Sequence, residues 1–234
     1  MTRRRWIADE VNADRAALTG AHAAHLVRVL RARIGQEFDI ATTNQVRRGR
    51  VALISSTDDR IEFELGEVIN ASASSDVTLL LSVFKFDRME WALEKCTELG
   101  VSRIVPLIAR RTEAHLAKAA EKRVERWRRI AVQASEQSRR DSVPAIDDPT
   151  KIARELLSNF SAMKIVLAES EENVTLKEVA ADSPSFTLAV GPEGGWSPEE
   201  LKMFSECDWI SASLGHTVLR AETAAIAAIA IVMS

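Results

Sequence analysis

From residue 77 onward the chain alternates short, almost uninterrupted apolar runs with amphipathic stretches, and this rhythm restricts its fold more than any other feature. The apolar runs lie at 77–84, 103–108, 164–168, 186–190 and 209–214. Strands buried on both faces read as continuous apolar sequence, and helices between them return the chain in one direction. The pattern therefore predicts an α/β fold with a parallel sheet covered on both sides. Asp87 with Glu90, and Ser197 with Pro198 and Glu200, predict capped helix starts. Leu116, Ala120, Val124, Trp127, Ala131 and Ala134 recur every three to four residues with arginines mostly between them, which predicts a helix with one buried and one basic side.

Earlier in the chain the texture differs. Segments 37–40, 50–54 and 60–65 are short, partly alternating and separated by turn residues at Asn44, Gly49 and Asp58-Asp59, which predicts a small β-barrel or sheet. His22, Leu26, Val29 and Leu30 can share one face of a helix. The small polar stretch Ala71-Ser72-Ala73-Ser74-Ser75 reads as a linker, which gives two domains, 1–71 and 72–234.

A length of 234 residues with 46% hydrophobic content supports a sizeable core and excludes disorder as the main state. The net charge of −3 advertises no polyanionic partner in bulk. Locally, residues 110–140 carry ten Lys/Arg against four Glu, and Arg3-Arg4-Arg5 and Arg47, Arg48 and Arg50 form two further basic knots. Cys96 and Cys207 lack metal-ligand spacing, so no disulfide framework or zinc site is expected and a reducing cytoplasm fits. The N-terminus has no apolar run behind its arginines, and the apolar run 224–233 is half a membrane span, so neither a secretory signal nor a membrane anchor is expected.

Three motifs can carry chemistry. Gly191-Pro192-Glu193-Gly194-Gly195-Trp196 follows a strand and precedes a capped helix, at the sheet end where open α/β folds bind ligands. It reads equally as a tight turn that needs glycine for its dihedrals. It is neither a Walker loop nor a dinucleotide fingerprint. Ser213 to Ala224 runs from a strand end through Gly215 into an apolar helix with Arg220, Glu222 and Thr223 at its mouth, either as a site or as a surface arrangement. Glu136-Gln137-Ser138-Arg139-Arg140-Asp141 suits phosphate or base contacts, or else a solvated helix end. His22 and His25 have helical spacing but no acidic or thiol partner nearby in sequence, so metal binding is not expected.

Taken in order, the strings His25 to Arg31 with Gly35, Lys85-Phe86-Asp87-Arg88-Met89-Glu90-Trp91, Lys95 to Val101 with Pro106, Ala134 to Arg139 with Val143-Pro144, Gly191 to Gly195, and Leu214-Gly215 with Leu219 to Ala224 resemble the RsmE family. These are the small-subunit ribosomal RNA uridine methyltransferases of the SPOUT superfamily. The resemblance implies a PUA-like β-barrel N-terminal domain that holds RNA and a SPOUT α/β domain whose last segments form a trefoil knot. It implies S-adenosyl-L-methionine as cofactor, a homodimer, and methylation of ring nitrogen 3 of a uridine in the decoding region of 16S rRNA. Carried over by motif, Leu167, Gly191, Glu193, Gly195, Trp196, Leu214, Gly215, Leu219 and Thr223 would hold the cofactor, and Arg220 and Glu222 would be catalytic. Arg28, Arg31, Arg47, Arg48, Arg139 and Arg140 would bind RNA, the last two from the larger domain. The sequence departs from the pattern at His216-Thr217, where the family more usually has a Pro-Arg or Lys-Arg pair, and at Ala221 in place of Thr. A non-catalytic RNA-binding assembly factor, or a SPOUT enzyme for another RNA, are the alternative readings.

Overall fold

A computed structural model describes residues 5–42, 45–55, 57–70, 76–160, 162–180, 183 and 185–234. The expected linker 71–75, the turn residue Asn44, and Arg3 and Arg4 lie outside the described residues. The chain divides into two compact units, Met1–Ala73 with Ser135–Val143, and Ser74–Ala134 with Pro144–Ser234.

In the first unit, β1 (Arg5–Ile7), β2 (Glu10–Asn12), β3 (Arg15–Thr19), β4 (Glu37–Ala41), β5 (Val46–Ser55) and β6 (Arg60–Asn70) form one curled sheet in the order β1-β4-β5-β6-β3-β2. Every pairing but β1 with β4 is antiparallel. Trp6, Leu18, Leu26, Ile40, Ile61 and Phe63 fill its core. At Gly49 a β-carbon would stand 2.4 Å from Ile40 Cγ1. The residue is glycine because β5 irregularly crosses the core there. The three N-terminal strands had no sequence signal, being three to five residues long and poor in β-branched residues.

The expected helical face is only partly realised. α1 (Gly20–Ala24) passes into a π-helical turn, His25–Val29, in which Leu26 is buried but Val29 and Leu30 are exposed. A wider turn shifts the phase, so positions three and four apart no longer stay on one face. The Glu136 to Asp141 string, expected with the larger domain, packs in the first unit. Arg5 holds the Asp141 carboxylate and the Arg139 carbonyl, while His22 Nε2 lies 3.2 Å from Glu136 Oε1. Contacts this distant in sequence leave no local trace.

The second unit is the expected parallel sheet. β7 (Asp76–Ser82), β8 (Arg103–Ile108), β9 (Ala145–Ile146), β10 (Thr150–Lys151), β11 (Met163–Leu167), β12 (Ser185–Val190) and β13 (Ile210–Ala212) run in the order β10-β8-β7-β12-β11-β13, with β9 also on β8. All of these pairings are parallel. Its helices are α2 (Phe86–Leu99), α3 (Ala114–Ala119), α4 (Val124–Ser138), α5 (Arg154–Ser158), α6 (Leu176–Val179), α7 (Pro198–Glu206) and α8 (Ala221–Val232), α4 ending in residues that group with the first unit.

All six periodic residues from Leu116 to Ala134 are buried, although a 3₁₀ turn, Glu121–Arg123, separates α3 from α4. The capping box expected at Asp87 is absent. α2 starts at Phe86, which puts Asp87 inside the first turn, and Glu90 accepts from Arg126 Nε at 2.7 Å instead. The box at Ser197 is present: the Ser197 hydroxyl accepts from the Glu200 amide at 3.2 Å, and Glu200 Oε2 accepts from the Ser197 amide at 2.8 Å. Glu200 Oε1 also accepts from the Arg110 amide at 2.8 Å, so this buried carboxylate keeps two donors. Among the described residues no helix is long and apolar enough to cross a membrane.

Candidate active site

Strands β11, β12 and β13 end at Leu167, Val190 and Ala212, and the loops that follow them line one cleft of about 790 Å³. A cleft beyond the carboxyl ends of parallel strands is where open α/β folds place ligands. The first loop contributes Ala168, Glu169 and Ser170, the second the glycine stretch, and the third Ser213 to Arg220.

Each loop is fixed by its own chemistry. The Trp196 indole is buried and donates Nε1–H to the Leu167 carbonyl at 2.8 Å, which ties the second loop to the end of β11. Phe204 stacks edge-on beneath it at 5.0 Å, and Trp209 continues the stack at 5.0 Å. A β-carbon on Gly191 would come within 3.2 Å of this indole, so the loop admits only glycine there without displacement. The third loop is pinned at Ser213, whose amide donates to the Val174 carbonyl and whose carbonyl accepts from the Leu176 amide, both at 2.8 Å. Beyond that anchor residues 215–218 are exposed, and Gly215 has a φ of 119° with open space where a side chain would stand.

Eight of the nine expected cofactor residues line the cleft: Leu167, Gly191, Glu193, Gly195, Trp196, Leu214, Gly215 and Leu219. Thr223 is exposed on α8 and is not among the lining residues. Arg220 lines the cleft as the residue preceding α8, with no side-chain cap. Glu222, in the first turn of α8, is buried.

Three cations of the lining were not singled out from the sequence: Lys85, Arg88 and Arg111. Arg111 donates Nη1–H to the Gly194 carbonyl at 2.7 Å. Arg88 donates Nη1–H to Glu193 Oε1 at 2.7 Å, and its Nε lies 3.8 Å from Glu222 Oε1. A signal for Arg88 did exist. Lys85 and Arg88 flank the first turn of a helix, where a cation opposes the macrodipole and needs a carboxylate partner to be tolerated.

The first-unit arginines behave differently. Arg47 donates to the Gly66 and Leu65 carbonyls and to Asp14 Oδ1, each at 2.9 Å, and its side chain is 16% exposed. Arg48 pairs with Asp39 at 2.6 Å, while Arg28 is 65% exposed and pairs with Asp59 at 2.7 Å. Arg31 and Arg139 are exposed at left-handed φ values of 53° and 59°. Arg140 is half-buried, and loss of hydration lowers its guanidinium pKa to about 10 against the opposing pull of Asp141. Among the described residues no group of three or more His, Cys, Asp or Glu side chains is placed to hold a metal ion.

The cleft suits a nucleoside-sized cofactor. Its volume falls in the usual range for small-molecule sites, its walls are mostly apolar, and glycine-rich backbone replaces side chains on two of its loops. A profile described as an RNA methyltransferase domain matches residues 71–233. A ribosomal RNA small subunit methyltransferase E of Bacillus subtilis is 29% identical over 225 residues, 91% of this chain and 87% of that one. Its namesake in Aquifex aeolicus is 34% identical over 68% of this chain and 69% of its own length. The crystal structure of a ribosomal RNA small subunit methyltransferase E from Neisseria gonorrhoeae, bound to S-adenosyl methionine, superposes with a TM-score of 0.83, at 29% identity and over 98% of this chain and 96% of that one. A barrel-type first unit, a parallel α/β second unit with a cleft at three strand ends, and relatives that match along nearly the whole length lead to one assignment: the chain belongs to the ribosomal RNA small subunit methyltransferase E family.

Proposed function

We propose that this S-adenosylmethionine-dependent ribosomal RNA methyltransferase acts on ring nitrogen 3 of one uridine in the decoding region of 16S rRNA in the small subunit. The observation that carries this reading is the cleft itself, in which three strand-end loops bring eight expected cofactor residues together beside cationic side chains. When bound, the cofactor supplies a sulfonium methyl: the carbon–sulfur bond breaks with its electron pair kept by sulfur as the carbon–nitrogen bond forms.

The chain's residues have to handle the acceptor. A uracil imide nitrogen carries a proton and is a poor nucleophile near neutral pH, so the proton must leave and the resulting negative charge must be steadied. Arg220, at the cleft mouth, supplies positive charge toward the uracil oxygens. Glu222 has one buried oxygen, Oε2, without a hydrogen-bond partner among the described residues, and its role is to accept the proton or to hold a guanidinium in place. Fixing methyl and nitrogen in line supplies a further large part of the rate without any side-chain catalyst. Replacing Arg220 by Ala is expected to suppress methylation while leaving cofactor affinity, read by calorimetry, nearly unchanged.

RNA would be held through phosphates by Arg28, Arg31, Arg48, Arg139 and Arg140, with Arg47 contributing chiefly to the fold that presents them. The active form in this reading is a cytoplasmic homodimer whose C-terminal segments are threaded as a trefoil knot. The test is transfer of label from S-adenosylmethionine to small subunits lacking the modification, with the product nucleoside located by mass spectrometry. One decoding-region 3-methyluridine is the expected result. A folded, cofactor-binding chain that labels neither subunits nor free rRNA would overturn it in favour of a non-catalytic binding factor.

A further inference from the structure

Four cations line the cleft, and they differ in how firmly they are held. Arg220 is exposed and makes no side-chain hydrogen bond or ion pair among the described residues, so fixing it on a substrate would require ordering a long side chain. Arg111 is turned onto the Gly194 carbonyl, and Lys85 stands 3.9 Å from Glu193. Arg88 alone is gripped from two sides by carboxylates of different segments. Glu193 comes from the glycine loop and takes Nη1–H at 2.7 Å, and Glu222 comes from the first turn of α8 and stands 3.8 Å from Nε. Glu222 is itself fixed, its side chain being 6% exposed and set at the positive end of α8. Nη1 is committed to Glu193, Nε faces Glu222 at ion-pair distance without a hydrogen bond, and Nη2 has no protein acceptor among the described residues, on a side chain that is 31% exposed and lines the cleft.

We propose that Arg88 is a catalytic residue whose Nη2–H donates to a carbonyl oxygen of the acceptor base beside the methylated nitrogen, with Glu193 and Glu222 as positioning residues. The inference rests on the methyltransfer reading above. When the imide proton passes from nitrogen to solvent water, the negative charge spreads onto the neighbouring carbonyl oxygens, and it disappears when the nitrogen–carbon bond forms. A donor already oriented toward that oxygen stabilises the charged stage without reorganising at the moment of reaction. Arg88 is held by carboxylates before any substrate arrives and Arg220 is not, so Glu222 acts through Arg88, while Arg220 adds positive charge at the cleft mouth.

The experiment compares the native chain, Arg88→Ala, Arg88→Lys, Glu222→Gln and the Arg88→Ala/Glu222→Gln double variant. Each is assayed by single-turnover methylation of unmodified small subunits, and its affinity for S-adenosylmethionine is measured by calorimetry. Arg88→Ala is expected to slow transfer roughly 100-fold, as removal of an oriented oxyanion donor does, with cofactor affinity within about 3-fold of native. Lysine should restore part of the rate, and Glu222→Gln should add nothing in the Arg88→Ala background. A native rate in Arg88→Ala, a loss of cofactor affinity matching the loss of rate, or a full Glu222→Gln effect on top of Arg88→Ala would each overturn the proposal. If the alanine variant does not fold, Arg88→Gln takes its place, and a native rate there overturns the proposal equally. A native chain that binds cofactor but methylates no rRNA overturns the functional reading instead, and the role of Arg88 falls with it.

Discussion

Both units are rich in arginine, yet arginine does different work in each. In the cleft of the second unit, Arg88 is gripped by Glu193 and Glu222 so that part of its guanidinium is left over and lines an open space. In the first unit, Arg47 uses its fork on two carbonyls and a carboxylate of its own sheet, and little of it reaches solvent. A count of cations therefore locates charge but not availability. What separates a ligand-binding arginine from a structural one is whether its donors are all satisfied inside the protein.

The contrast can be broken or sharpened by substitution. The largest effect is expected at Trp196, which ties two of the cleft loops together: Trp196→Ala removes a buried ring and its bond to Leu167, and should cost about 3–5 kcal/mol in denaturant unfolding together with most S-adenosylmethionine affinity. Arg47→Ala comes next, with an expected loss of about 1 kcal/mol because the exposed Gly66 carbonyl and the part-buried Leu65 carbonyl lose their donor. If that variant kept its stability and lost only RNA affinity, the distinction drawn here between the two kinds of arginine would fail.

Arg140 tests the same distinction with opposite sign. Its pKa is depressed in the folded state, so the charged form is disfavoured there, and this penalty is fully present below pH about 10 and is relieved as pH rises through that value. Arg140→Met is therefore expected to raise stability near neutral pH by about 1 kcal/mol while weakening RNA binding. Loss of stability on that substitution would show that the guanidinium serves the fold.

Arg28→Ala should give the smallest change in stability, below about 0.5 kcal/mol, because its partner Asp59 is a surface carboxylate. Its effect should be seen instead in the slope of log affinity against log salt, reduced by about one. An unchanged slope would remove Arg28 from the RNA interface.

Much of this was legible in the sequence where the signal is local. The five apolar runs became parallel strands, the Ser197-Pro198-Glu200 start became a capped helix, and the six apolar positions from Leu116 to Ala134 are all buried. Each depends on neighbours within one or two turns of chain. The misreadings share the opposite property. The face of His22 to Leu30 failed because a π turn, invisible to a 3.6-residue period, reset its phase. The Asp87 box failed because α2 starts at Phe86, one residue before Asp87, and Glu90 meets Arg126 of α4 and Arg123 of the turn before it. Glu222 is buried, and its ion pair runs to Arg88 on α2, 134 residues away in the chain, which no local pattern could announce.

By itself the sequence determined the α/β class, the position of the glycine loop at a strand end, and the motif order that marks the family. These follow from periodicity, backbone restrictions and short-range capping, all written in contiguous residues. Only the tertiary structure decided that the Glu136 to Asp141 string joins the first unit, that Arg47 faces inward to its own sheet, and that Arg88 is the cation held at the cleft. Those outcomes depend on which group meets which across about twenty residues of chain at Arg47 and more than a hundred at Arg5 and Arg88. Solvation and pairing energies settle that choice only once the backbone has brought the partners within a few ångströms.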